Sequence, residues 1–150
     1  MNTLKQENDI LNSGEMDVSL TVITTSGADP MMQMGGMMKL TAMIASNEVD
    51  LILCDEENAA RNARSGSFYA LNELLSEDEI SALGDRALQY ALIDDEGKPT
   101  DEFTAVCGMD VSADEQLKAV FNQADIGVFV AGNAPHLEAA KAVMKAIALK

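Results

Sequence analysis

The stretch VDLILCDEENAARNARSGSFYALNELL, residues 49–75, decides how this chain is read. Within it Leu51, Ile52, Leu53 and Cys54 form an apolar run that is too short for a helix and is bounded by Asp50 and Asp55. A run with no polar alternation is buried on both faces, the mark of a central strand in a parallel sheet. Asp55 then falls where a helix N-cap belongs, and Glu56 and Glu57 follow in the first turn, where carboxylates complement the helix dipole. A strand leading directly into a capped helix is the repeating unit of an α/β domain.

Working towards the start, Met37, Leu40, Met43 and Ile44 recur at helical spacing after Pro30, with Lys39 facing outward. Val18, Leu20, Val22 and Ile23 read as a strand that opens into the polar loop Thr24-Thr25-Ser26-Gly27. A short helix over residues 3–11 is stopped by Asn12-Ser13-Gly14. Towards the end, Ser76-Glu77-Asp78-Glu79 is a capping pattern, and Gly84 stops the helix it starts. Two strand-like stretches, 88–93 and 102–109, flank the turn-rich DDEGKPTD, which predicts a β-hairpin over residues 88–109. A helix over 113–121, a strand over 126–131 and the loop Gly132-Asn133-Ala134 follow. The last helix carries Leu137, Ala140, Met144 and Ile147 on one face. The expected fold is α/β, a mostly parallel sheet flanked by helices, in one domain of 150 residues whose 47% hydrophobic content suits a single core. The hairpin is the natural crossing point if the domain has a larger and a smaller lobe.

Charge narrows the function. With 25 acidic and 10 basic residues the formal net charge is −15, which repels a nucleic-acid backbone or an anionic membrane surface. Aromatic residues make up 4% of the chain and Trp is absent, so the stacking platforms that favour single-stranded nucleic acid and many sugars are missing. No apolar stretch approaches the roughly 20 residues that span a bilayer. The opening MNTLKQENDILNSGE is polar, with no basic-then-apolar export signal. Cys54 and Cys107 each sit in an apolar run, as small buried thiols do, and spacing leaves a disulfide between them open.

Two segments carry a resemblance. KLTAMIASNEVDLILCDEENAARNARSGSFYALNELL (39–75) and DIGVFVAGNAPHLEAAKAVMKAI (125–147) resemble extracellular solute-binding proteins of the type II periplasmic-binding fold. Residues 39–75 are similar to that family's succession of a helix ending in a small-residue turn, an Asp-apolar strand, a helix, a glycine turn and a Leu-x-Glu-Leu-Leu segment. Residues 125–147 are similar to its strand, polar loop and helix. The resemblance implies a periplasmic-binding-protein-like lobe, a truncated or miniature member, a small polar solute as ligand and an extracytoplasmic location.

In open α/β sheets ligands bind beyond the carboxyl ends of the strands. That rule selects three loops as candidate ligand-binding residues: Thr24, Thr25 and Ser26; Asp55 and Glu56; Gly132 and Asn133. Each also has an ordinary reading as a turn or cap. Were they to converge, the carboxylates would suit an amine, a cation or a hydroxyl-rich solute. No catalytic set emerges: His136 is the only histidine, and neither a GxxxxGK[ST] loop nor a CxxC is present. Cys54 with His136, or the acidic pairs Glu56-Glu57 and Asp94-Asp95, would need a shared cleft to do chemistry. No metal site and no cofactor is expected.

Met31, Met32, Met34, Met37 and Met38 are the compositional oddity. Thioethers select monovalent copper, fill irregular cores, or make adaptable partner surfaces. Gly35-Gly36 is expected to interrupt the helix between them. The chain thus reads as a non-enzymatic solute-binding module. Its alternatives are a protein-interaction domain that has lost its solute, with a protein partner or a second copy, and a methionine-rich copper-binding protein.

Overall fold

The computed structural model describes residues 29–121 and 125–148, together with 19, 21–23 and 25. The helix expected over 3–11 lies outside the described residues. Of the strand expected over 18–23, the described residues 19 and 21–23 belong to no strand.

Helix α1 spans Pro30–Ala45, with Asp29 as N-cap accepting from the Met31 and Met32 amides and proline in the first turn. It runs unbroken through Gly35-Gly36, contrary to the interruption expected there. Glycine weakens a helix by about 1 kcal/mol but keeps its N–H, so the hydrogen-bond ladder survives. Strand β1 is Leu51–Cys54 and α2 is Glu56–Arg64, capped by Asp55. A 3₁₀ turn at Leu71–Glu73 precedes α3, Glu77–Leu83, whose Ser76 and Glu79 form a complete capping box. Gly84 ends α3 with a positive φ of 53°, and a further 3₁₀ turn, Gly84–Arg86, leads into β2, Ala87–Leu88.

The chain then runs out along β2 and β3 (Ala91–Ile93) and back along β4 (Pro99–Phe103) and β5 (Gly108–Asp110), antiparallel throughout. Asp94 closes the turn, its carboxylate accepting from the Glu96 and Lys98 amides. Helix α4 (Glu115–Phe121), β6 (Gly127–Val130) and α5 (Leu137–Ala148) complete the described elements.

The main sheet has the order β1-β6-β5-β2, and β3-β4 forms a second, two-stranded sheet. Every pairing among the described residues is antiparallel. This corrects the mostly parallel sheet expected of a periplasmic-binding-protein-like lobe. The apolar run at 51–54 had suggested parallel neighbours because both of its faces are covered. The cover comes from helices on either side and is indifferent to strand direction. Leu51 and Leu53 pack into the cluster of Leu71, Met109, Val128, Val130 and Met144, while Ile52 and Cys54 pack into the opposite one around Phe129, Phe68 and Ala59.

At the centre of the second cluster Phe129 lies fully buried and stacked on Phe68, ring centroids 4.4 Å apart. Its ring fits because glycine stands at 108, directly across the ladder, and at 127, two residues earlier on the same strand face. A Cβ at Gly108 would come within 2.2 Å of the ring, and one at Gly127 within 2.5 Å.

Candidate functional site

The β1–β6 register settles which candidate residues can meet. Leu51 pairs with Val130 and Cys54 with Gly127, so the two strands point in opposite directions. Asp55, at the end of β1, therefore sits beside the start of β6. Gly132 and Asn133, just past the end of β6, sit beside the start of β1, where the Ala131 amide donates to the Asp50 carbonyl. At about 3.4 Å per residue the two loops are on the order of 15 Å apart. The rule that gathers loops at one edge holds for parallel strands, and among the described residues this sheet has no parallel pair. Thr25 is half-buried outside any helix or strand, and Thr24 and Ser26 lie outside the described residues.

At the first end Asp55 is occupied structurally. Its Oδ1 accepts from the Asn58 amide at 2.9 Å, and both oxygens accept from Asn58 Nδ2, at 2.9 and 3.0 Å. Asn58 is itself buried. Glu56 is exposed beside it. Further along α2, Arg61 pairs with Glu57 at 2.9 Å and reaches Met37 Sδ at 3.4 Å, while Arg64 Nε donates to the Ala91 carbonyl at 2.8 Å. These arginines, with Glu57, Ser65 and Ile93, line a shallow open depression of about 510 Å³. The pairing of Arg61 with Glu57 spends part of its positive charge internally.

The other end gathers polar groups that are remote in sequence. Asn133 Nδ2 donates to the Ile44 carbonyl and, at 2.6 Å, to Asn47 Oδ1, tying the end of α1 to the loop after β6. Asn133 Oδ1 is buried without a hydrogen-bond partner. Asn47 has a φ of 58°, the left-handed conformation that commonly follows a helix end and that asparagine tolerates. Gly132 donates its amide to the Ser67 carbonyl at 2.8 Å, and a Cβ there would come within 3.3 Å of the same oxygen. Gly132 thus permits a close backbone approach that any side chain would tighten.

His136 is not isolated. Asp50 Oδ1 accepts its backbone amide at 2.7 Å, and Asp50 Oδ2 stands 3.1 Å from its ring Nδ1. The histidine occupies the start of α5, where its carbonyl accepts from the Ala140 amide. Asp50 therefore serves the unsatisfied amide of a helix start from another strand, a role local spacing does not reveal. The left-handed asparagine in the turn Ser46-Asn47-Glu48 was the one local signal for this cluster. Among the described residues no three His, Cys, Asp or Glu side chains come together as a metal cage. No described helix is long and apolar enough to cross a membrane.

The cysteines are both free. Cys54 ends β1 and Cys107 immediately precedes β5, on opposite sides of β6. Two strand spacings alone put about 9.5 Å between them across the sheet, beyond the roughly 7 Å that a disulfide can bridge. Burial, then the negative charge of Asp55 and the Cys107 thiol, push the Cys54 pKa up to about 12. Burial likewise raises that of Cys107. Neither thiol is set up as a nucleophile.

The remaining surface feature is α1. Apart from Gln33, Lys39 and Thr41, its sequence has no polar side chain, yet none of its residues is buried. Met31, Met32, Met34 and Met38 are 60–78% exposed. Only its C-terminal part, through Leu40 and Ile44, packs against the Phe129 cluster.

The chain matches no protein-family model, and no curated protein and no solved structure matches it significantly.

Proposed function

We propose that the domain is a non-enzymatic protein-interaction module and that its working surface is the methionine face of α1, which receives a helical segment of a partner protein. The exposure of α1 carries this reading. A helix apolar around its whole circumference is ordinarily buried, and this one leaves four methionines in solvent. It also carries two consecutive glycines, each costing about 1 kcal/mol in a helix interior. Helical stability in proteins comes mostly from packing of a face, and here the face is left open over the N-terminal half. Unbranched, polarisable methionines suit a surface that must adapt to another helix.

Display selection of peptides against the immobilised domain tests this. Enriched peptides are expected to bind with micromolar Kd and to lose at least tenfold in affinity for the M31Q/M34Q/M38Q variant. Failure to enrich, or unchanged binding to that variant, overturns the reading.

A second reading rests on the buried, unpartnered Asn133 Oδ1. A buried acceptor without a donor is costly, and a small polar solute donating to it would relieve that cost. Such a solute raises the melting temperature of wild type and leaves Asn133→Ala unmoved. A panel of amines, amino acids and polyols that shifts neither protein rules the reading out.

A further inference from the structure

Resting on the interaction reading above, we infer that the partner segment is a basic amphipathic helix, its apolar stripe packing on Met31, Met34 and Met38 and its cationic flanks answering the acidic surroundings of α1. The three methionines stand at i, i+3 and i+7, one stripe along the helix. Gly35 lies within the stripe with nothing within 4 Å of where a Cβ would be. That leaves a notch in which a second helix can approach closely. At 16 residues α1 is about 24 Å long, enough to pair with four turns of a partner.

Charge selects among the occupants. Asp29 at the start of α1, Glu48 just beyond its end and Glu56 in the first turn of α2 are exposed carboxylates. Helix α2 lies alongside through the contact of Arg61 with Met37. The opposing cations on α1 and α2 are Lys39, Arg61 and Arg64; Arg61 is paired with Glu57, and Arg64 is turned to the Ala91 carbonyl. The chain as a whole stands at −15. A further copy of the chain brings the same −15 to the interface, and an anionic bilayer repels it in the same way. A cationic helix is attracted by the field and covers the methionines with its apolar side, with the helix-on-helix contact supplying affinity and the charges supplying on-rate and choice.

The test uses three synthetic 18-residue helical peptides with one leucine stripe and polar faces of lysine, glutamine or glutamate. Binding to the full chain is followed by isothermal titration and by the ¹³C-methyl signals of its methionines. The expected result is micromolar binding of the Leu/Lys peptide, shifts of the Met31, Met34 and Met38 methyls, and a loss of at least tenfold for M31Q/M34Q/M38Q. Raising salt from about 50 to 500 mM, which shortens the screening length well below 10 Å, is expected to weaken binding at least tenfold. The Leu/Glu peptide is expected not to bind.

If the glutamine and glutamate peptides bind as well as the lysine peptide while shifting the same methyls, the basic preference is wrong and the interaction surface stands. If the lysine peptide binds without moving those methyls, or none of the three binds, the inference fails, and the latter outcome removes the interaction reading with it. Binding to phosphatidylcholine vesicles that shifts the same methyls, with no peptide binding, replaces the helix by a lipid surface and overturns the proposal.

Discussion

The ring of Phe129 occupies the space that a side chain at Gly108 would need. A Cβ at position 108 would lie 2.2 Å from Phe129 Cε1, and the ring cannot retreat because Phe68 is stacked 4.4 Å away on it. Gly108→Ala is therefore expected to destabilise the protein by about 1–3 kcal/mol, the usual cost of overpacking a filled core. Phe129→Ala should cost about 3–5 kcal/mol through the cavity it leaves. With the ring reduced to Leu at 129, Gly108→Ala should cost less than in wild type, because residues in contact couple. Urea unfolding of the two singles and the double mutant measures this. Strict additivity would show that the glycine is there for some other reason.

Cys54 offers a test of burial. With its pKa pushed from 9.0 to about 12, chiefly by desolvation, roughly one molecule in ten thousand carries the thiolate at pH 8. Alkylation of the native protein at that pH is expected to be slow at both cysteines and fast in denaturant. Mild oxidation should leave two free thiols. A raised pKa contributes stability that is whole below 9.0 and is lost as pH climbs through about 12. Cys54→Ala should therefore flatten the fall in melting temperature over that alkaline window. An equally steep fall in the variant assigns the alkaline loss to other groups.

What the sequence made legible divides by range. Asp55 as a cap, the Ser76–Glu79 box and the inward face of α5 at Ala140 and Met144 are decided within one helical turn. Local chemistry suffices to read them. The direction of β1 is decided by which strand lies next to it. Leu51–Cys54 would look the same in a parallel neighbourhood, since helices cover both faces either way. The candidate site followed that error, because gathering Asp55 with Asn133 presumes parallel strands. Asp50–His136 and Asn47–Asn133 join residues 86 apart, and no spacing rule connects them. Phe129 with Gly108 and Gly127 is a register fact of the same kind.

Glu79 links a helix start to a distant helix. It closes the Ser76 capping box on α3 and hydrogen-bonds Lys145 of α5. The Lys145 bond, followed by the Ser76 amide, lowers its pKa from 4.5 to about 2. A lowered carboxyl pKa gives stability that is present above 4.5 and is lost as pH falls towards about 2. Lys145→Gln is expected to raise the Glu79 pKa in an NMR titration and to flatten the melting-temperature profile between those limits. The side chains are partly exposed, 29% for Lys145 and 38% for Glu79, so high salt should shrink the difference. Identical profiles for the two proteins would place the acid sensitivity elsewhere.

Asn133 is the pin that holds the end of α1 against the sheet, through the Ile44 carbonyl and Asn47 Oδ1. Among the described residues, Leu40 and Ile44 in the Phe129 cluster and the Arg61–Met37 contact are further ties of α1 to the rest of the domain. Asn133→Ala removes both bonds and is expected to cost about 1–3 kcal/mol, since it strands acceptors that are partly screened from water. The loss should be local before it is global: amide exchange over residues 38–47 accelerates at least tenfold, while Val128 to Val130 in β6 keep their protection. If α1 and β6 lose protection together, the helix is an integral part of the core.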